Sequence, residues 1–187
     1  ELDTLPRFGM TVLSWQEATL LVTRTGYTGE DGCELLIPND TAPLLWQALL
    51  DMGVTPCGLA ARDTLRIEAG LPLYGQELSE AIHPFMTRYT WVVKTAHDFI
   101  GKEALLALKE TTTHAAVGLE LSQSLIARTN YKIEEGGYIS SGTLLPTSQK
   151  SVALAMVPLE YTAIGSTVHV RIRQHRVPAT VTAVPFL

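Results

Sequence analysis

The sequence predicts an α+β chain in which antiparallel strands and two or three helices are followed by a small C-terminal β-barrel. Three observations lead there. Short β-rich runs flank a glycine-rich turn ahead of Ile37, two helix-forming segments with start and stop signals follow, and closely spaced β runs fill the chain from Ala115 onward.

The first strands are expected at Met10 to Leu13, Thr19 to Thr23 and Cys33 to Ile37, around the turn Gly26-Tyr-Thr-Gly-Glu-Asp-Gly32. Asn39-Asp40 then offers a capping signal before Leu44, Leu45, Ala48 and Leu49, whose spacing forms one apolar helical stripe. A helix over about Thr41 to Met52 follows, closed by Gly53. A second helix is expected from Gly58 to Ala69, after Pro56 and before Gly70, because the segment is rich in helix formers. Leu71 to Pro84 reads as loop, Tyr89 to Val93 as a strand, and Asp98 to Lys109 as a short helix capped by Asp98. Beyond Thr111-Thr-Thr113 the β runs are Val117 to Leu121, Tyr131 to Ile133, Tyr138 to Ser140, Val152 to Val157, Thr167 to Ile172 and Ala179 to Val184. A domain boundary is placed near Thr111 to His114, giving an α+β part over 1–110 and a barrel over 111–187.

Composition narrows the function classes. The 187 residues carry a net charge of −5 with Lys and Arg scattered, so no basic stripe invites nucleic acid. No apolar run approaches the roughly 20 residues that span a bilayer, and no membrane association is expected. Cys33 and Cys57 are isolated, which suggests a reducing compartment and two plain buried thiols. Glu1-Leu-Asp-Thr-Leu-Pro-Arg7 resembles neither a signal peptide nor a natural start, and Val181 to Leu187 stops in strand-like sequence, so both ends read as cut from a longer protein.

The most unusual segment is Thr25-Gly-Tyr-Thr-Gly-Glu-Asp-Gly-Cys-Glu34, with three glycines for tight backbone geometry and three carboxylates close together. Glu30 and Asp31 either face water or help to bind something polar. Glu34 begins an apolar strand and shares a face with Leu36, which predicts a half-buried carboxylate in need of hydrogen-bond donors. Arg62 and Arg66 lie four apart on one face of the second helix. They are either surface cations paired with Asp63, Glu68 or the acidic loop, or a clamp for a planar or anionic ligand. The five histidines show no paired metal-ligand spacing, and His169 with His175 reads as surface decoration, so no metal is assigned. No nucleophile-and-base arrangement and no phosphate-cradling loop is present, so covalent catalysis is not indicated.

Arg24-Thr-Gly-Tyr-Thr-Gly-Glu-Asp-Gly-Cys-Glu34 followed by Pro56-Cys-Gly-Leu-Ala-Ala-Arg-Asp-Thr-Leu-Arg-Ile-Glu-Ala-Gly70 resembles the two signature stretches of the glycine cleavage T-protein family. The likeness continues through Leu73-Tyr-Gly-Gln76, Asp98-Phe-Ile-Gly-Lys102, Gly142 to Thr147 and Val152 to Val157, in family order. The resemblance implies an aminomethyltransferase with a central folate site, acting on an aminomethyl group carried by the lipoylated carrier protein (H-protein). Tetrahydrofolate would be the acceptor, and ammonia, dihydrolipoyl protein and methylenetetrahydrofolate the products. It carries pterin-contacting roles over to Tyr27, Glu34 and Arg62, and a ligand-binding role in the β domain to Arg128. The implied setting is the bacterial cytoplasm, or the mitochondrial matrix in a eukaryote.

Two departures from the family pattern bear on these expectations. The family's catalytic Asp belongs to an N-terminal half that this chain does not contain, so the isolated chain is expected to be inactive. His83-Pro-Phe-Met-Thr-Arg-Tyr89 replaces a Pro-Val-Glu-Ala-Gly-Leu-like stretch, and Leu145 stands where a Ser is common. Alternative readings are the folate module of a related tetrahydrofolate-dependent demethylase or amine dehydrogenase, and a folate-binding module without turnover.

Overall fold

A computed structural model describes residues 4–186. The chain separates into two compact units, Glu1–Leu65 and Arg66–Leu187.

In the first unit β1 (Met10–Trp15) and β2 (Ala18–Thr23) form an antiparallel hairpin, and β3 (Glu34–Leu36) adds to β2, giving the order β1-β2-β3. The two-residue turn needs a residue in the left-handed region, which Gln16 supplies at φ 52°. Directly opposed residues share a face, so Leu20 and Val22 point to the buried side, while Met10, Val12 and Leu36 lie exposed on the other. Helix α1 (Ala42–Asp51) follows, with Pro43 in its first turn. It ends as its sequence predicts: Gly53 at φ 84° donates to the Leu50 carbonyl (2.9 Å) and Val54 to that of Leu49 (3.1 Å). This paired closure satisfies carbonyls that the helix itself leaves open.

Helix α2 (Leu59–Glu68) closes in the same way. Gly70, at φ 67°, donates to Ile67 and Leu71 donates to Arg66, both at 2.8 Å. A Cβ at Gly70 would stand 1.8 Å from Val184 Cγ1, so glycine is required there by packing as well as by backbone conformation.

The second unit is built on one antiparallel sheet in the order β5-β6-β4-β8-β7. Its strands are β4 (His114–Leu121), β5 (Tyr138–Leu144), β6 (Ser151–Pro158), β7 (Thr167–Ile172) and β8 (His175–Thr182). An isolated bridge between Ile133 and Val170 carries the β4–β5 connection across to β7, and the sheet curls as a half-barrel. Leu119, Ile139, Val157, Val168, Val177 and Val181 pack inside it. Alternation is clean in β7 and β8, whereas β6, the strand between β5 and β4, is buried almost throughout.

A bulge in β5 sets two residues, Ser140 and Ser141, against Leu154 of β6. The Ser140 hydroxyl donates to the Leu154 carbonyl at 2.9 Å, and the shifted phase leaves Ser141 facing Arg66, the first residue of this unit. Arg66 is only 1% exposed. Its guanidinium donates to Ser141 Oγ (2.6 Å), Glu77 Oε2 (2.9 Å) and the Leu71 carbonyl (3.2 Å). Glu77 Oε2 also accepts the Leu73 N–H at 3.0 Å, which ties the 71–78 loop into the same network.

Several expectations are corrected. Tyr89 to Val93 forms a 3-10 turn over Thr90–Val92 rather than a strand, since β-prone residues need a partner strand and this segment has none among the described residues. The third helix, α3, is Lys102–Glu110; Gly101, left-handed at φ 87°, bars extension back to Asp98, which instead pairs with Lys102 at 3.3 Å. Tyr131 to Ile133 makes single bridges, not a strand. Cys33 and Cys57 are exposed, because each stands in a loop next to a glycine, not on a packed face. His169 is half-buried and bound to Glu135 through both its ring Nδ1 (2.5 Å) and its backbone N–H (2.8 Å).

Removing one partner of a buried ion pair strands the other charge, at a cost of about 3–5 kcal/mol. Glu77→Leu is therefore expected to destabilise the chain by that order in urea unfolding, and adding Arg66→Met is expected to recover a substantial part.

Candidate functional site

The glycine loop between β2 and β3 is pinned at its base. Arg24 binds Asp31 through two parallel bonds, Nε to Oδ1 at 3.1 Å and Nη2 to Oδ2 at 2.8 Å, and its Nη1 donates to the Leu5 carbonyl at 2.6 Å. A planar guanidinium suits this double contact, which holds a loop's ends in a way that a single point charge does not. Asp31 is held below the usual carboxylate range by the hydrogen bond from Arg24, against a smaller opposing effect of desolvation. Within the loop Gly29 takes φ 84°, and the Glu30 N–H donates to the Thr28 hydroxyl at 3.3 Å.

At the β3 end, the Thr25 hydroxyl donates to Glu34 Oε2. Its single proton is thereby committed, so the 2.7 Å contact between Thr23 and Thr25 has Thr23 as donor. Thr23 and Glu34 are cross-strand partners, and this hydroxyl relay orients the carboxylate from below. Glu34 itself is exposed, contrary to the half-burial its strand pattern predicts. The reason is its place on β3, an edge strand whose three residues are all exposed.

Midway along the loop, Tyr27 is half-buried and carries the Arg62 guanidinium 4.4 Å above its ring centroid. Arg62 projects from the first half of α2, where its N–H bonds to Gly58, and it stays exposed. The stack presents an aromatic ring and a planar cation as one surface, a geometry suited to flat, electron-rich ligands.

The structure thus brings Tyr27 and Arg62 into contact and sets Glu34 on the same pinned loop. Arg128 lies in the other unit, exposed, in the connection between β4 and β5. The two arginines of α2 part company: Arg62 stacks on Tyr27, whereas Arg66 is buried on Glu77 and belongs to the core. Sequence spacing placed them on one face and did not reveal this, and the partners Glu77 and Ser141 carried no signal there. Among the described residues no group of His, Cys, Asp or Glu is arranged to hold a metal ion, and no helix is long and apolar enough to cross a membrane.

Comparison with known proteins bears on what this arrangement is. Residues 1–97 match the family model described as the GCVT N-terminal domain, and residues 115–187 match the glycine cleavage T-protein C-terminal barrel domain. This chain belongs to the glycine cleavage T-protein family.

An aminomethyltransferase of Synechococcus elongatus is 45% identical over 193 aligned residues, covering 100% of this chain and 52% of the relative. One from Geobacillus sp. is 46% identical over 177 residues, covering 89% of this chain and 49% of the relative. Among solved structures, the glycine cleavage system aminomethyltransferase T of Bartonella henselae superposes with a TM-score of 0.83 at 34% identity, covering 90% of this chain and 50% of that one. The chain spans about half the length of the curated relatives it matches. The match of the second unit's curled sheet to the family's barrel bears out the fold class, α+β with a C-terminal barrel.

Because Asp31 titrates below its unfolded value, the stability it contributes is present above the ordinary carboxylate value and is lost as pH falls through the lowered one. Arg24→Ala is expected to return the Asp31 pKa upward, read from its carboxyl carbon in an NMR titration. An unchanged pKa would show that the Arg24 contact does not form in solution.

Proposed function

We propose that this chain supplies part of the tetrahydrofolate site of an aminomethyltransferase. In that reaction the methylene carbon of an aminomethyl group on a lipoyl arm passes to tetrahydrofolate, ammonia leaves, and the carrier is left as dihydrolipoyl protein. Family membership supports the reaction class, and the partner proposed is accordingly a lipoylated carrier protein. The observation that carries the site assignment is the Arg62–Tyr27 stack on the pinned loop that also bears Glu34.

The chemistry of a pterin fits these groups. Its amino and ring N–H groups are donors, and Glu34 offers a carboxylate whose orientation the Thr23–Thr25 relay holds. Its flat ring matches the surface made by Tyr27 and Arg62, and the Arg62 fork can pair with a ring oxygen or a carboxylate. Arg128, exposed in the β domain, is proposed as a folate-contacting residue on the family resemblance alone. The residues between the two family matches, 98–114, support a domain boundary near Thr111 to His114.

The test is a titration with 5-formyltetrahydrofolate followed by tryptophan fluorescence. Saturable binding is expected, weakened about 10- to 100-fold in Arg62→Ala and in Glu34→Ala, as loss of a charge-assisted hydrogen bond implies. Binding that neither substitution changes would remove the site from these residues.

A further inference from the structure

We propose that a cleft in the Arg66–Leu187 unit, walled in part by Glu77 and Arg88, binds a small carboxylate that carries a secondary amide and an aliphatic body, of the N-acyl amino acid type. The cleft holds about 320 Å³, the lower end of small-molecule sites, and Val117, Leu154, Val181 and Val184 make much of its wall apolar.

Glu77 is 3% exposed. Its Oε2 is taken up by Arg66 and by the Leu73 N–H, but its Oε1 is buried and accepts no hydrogen bond among the described residues. Buried carboxylate oxygens are normally paired in folded proteins, so this one marks a missing donor. Glu77 lines the cleft, so a donor bound there can serve Oε1 while Oε2 keeps its two protein donors. That donor should be neutral. Arg66 already balances Glu77, and a ligand cation would leave a net positive charge in the buried pair. An amide N–H meets the requirement.

Arg88 supplies the other end. It is exposed, and among the described residues no carboxylate pairs with it. Its Nη1 lies 2.7 Å from where a Cβ on Gly70 would stand, so the guanidinium occupies space that glycine leaves free at the cleft wall. The Tyr89 ring, 5.3 Å from its guanidinium carbon, braces the head group. Arginine reads a carboxylate bidentately, so the cleft presents an acceptor, an apolar wall and an anion receptor together. Nothing in this reading involves folate or the Tyr27–Arg62 surface, and the two proposals fail separately.

The test is a ¹⁵N–¹H NMR titration of the whole chain with N-acetyl-L-leucine. Saturable shifts are expected at the amides of Thr87 to Tyr89 and of Val117 and Gly118. N-acetyl-N-methyl-L-leucine, which lacks the N–H, is expected to bind about tenfold more weakly or worse. Arg88→Ala, a change at an exposed side chain that leaves the Arg66–Glu77 pair intact, is expected to weaken the parent probe to a similar degree. The proposal is overturned if no saturable shift occurs, in which case a buried water serves Glu77 Oε1. It is equally overturned by shifts confined to residues outside the cleft, or by equal affinity for the methylated probe.

Discussion

The architecture of the second unit depends on one buried cation. Arg66 reaches three parts of the chain: the Leu71 carbonyl just past its own helix, Glu77 in the loop beyond, and Ser141 on a bulged strand. An interior guanidinium costs too much to leave alone, so each of these groups is held where it can accept. The consequence is specific. The Ser140–Ser141 bulge, the Gly70 closure of α2 and the course of the 71–78 loop are parts of one hydrogen-bonded arrangement, and a change in any one leaves a buried polar group without its partner.

The same helix offers Arg62, four residues earlier, for a different purpose. There the guanidinium is exposed and lies over an aromatic ring, where its donors face solvent. Two identical residues one turn apart are thus separated by environment: a charge with several protein acceptors is structural, and a charge resting on a ring face keeps its hydrogen-bonding capacity. The pinned loop follows a similar division. Arg24 and Asp31 neutralise each other at its base, while Glu34 is oriented by a hydroxyl chain and remains open.

Much of this was legible in the sequence wherever local chemistry decided the outcome. Gly53 and Gly70 end α1 and α2 because only glycine enters the left-handed region cheaply, and β7 appears as its alternation predicts. The signature segments located the loop and helix that carry Tyr27, Glu34 and Arg62. What local pattern cannot contain is the partner. Tyr89 to Val93 has strand composition but no strand beside it, Glu34 has a half-buried pattern on an edge that stays exposed, and the separate fates of Arg62 and Arg66 depend on Tyr27, Glu77 and Ser141. Glu77 lies 11 residues from Arg66 and Ser141 lies 75 away, distances over which periodicity has no reach.

The proposed site has the Tyr27–Arg62 surface and the Glu34 carboxylate receive a pterin. The most direct measurement is a crystal structure with 5-formyltetrahydrofolate bound. Pterin N–H groups are expected within about 2.7–3.2 Å of the Glu34 carboxylate, with the ring system against Tyr27 or Arg62. A pterin held elsewhere, with Glu34 still bound to Thr25, would remove the site from these residues.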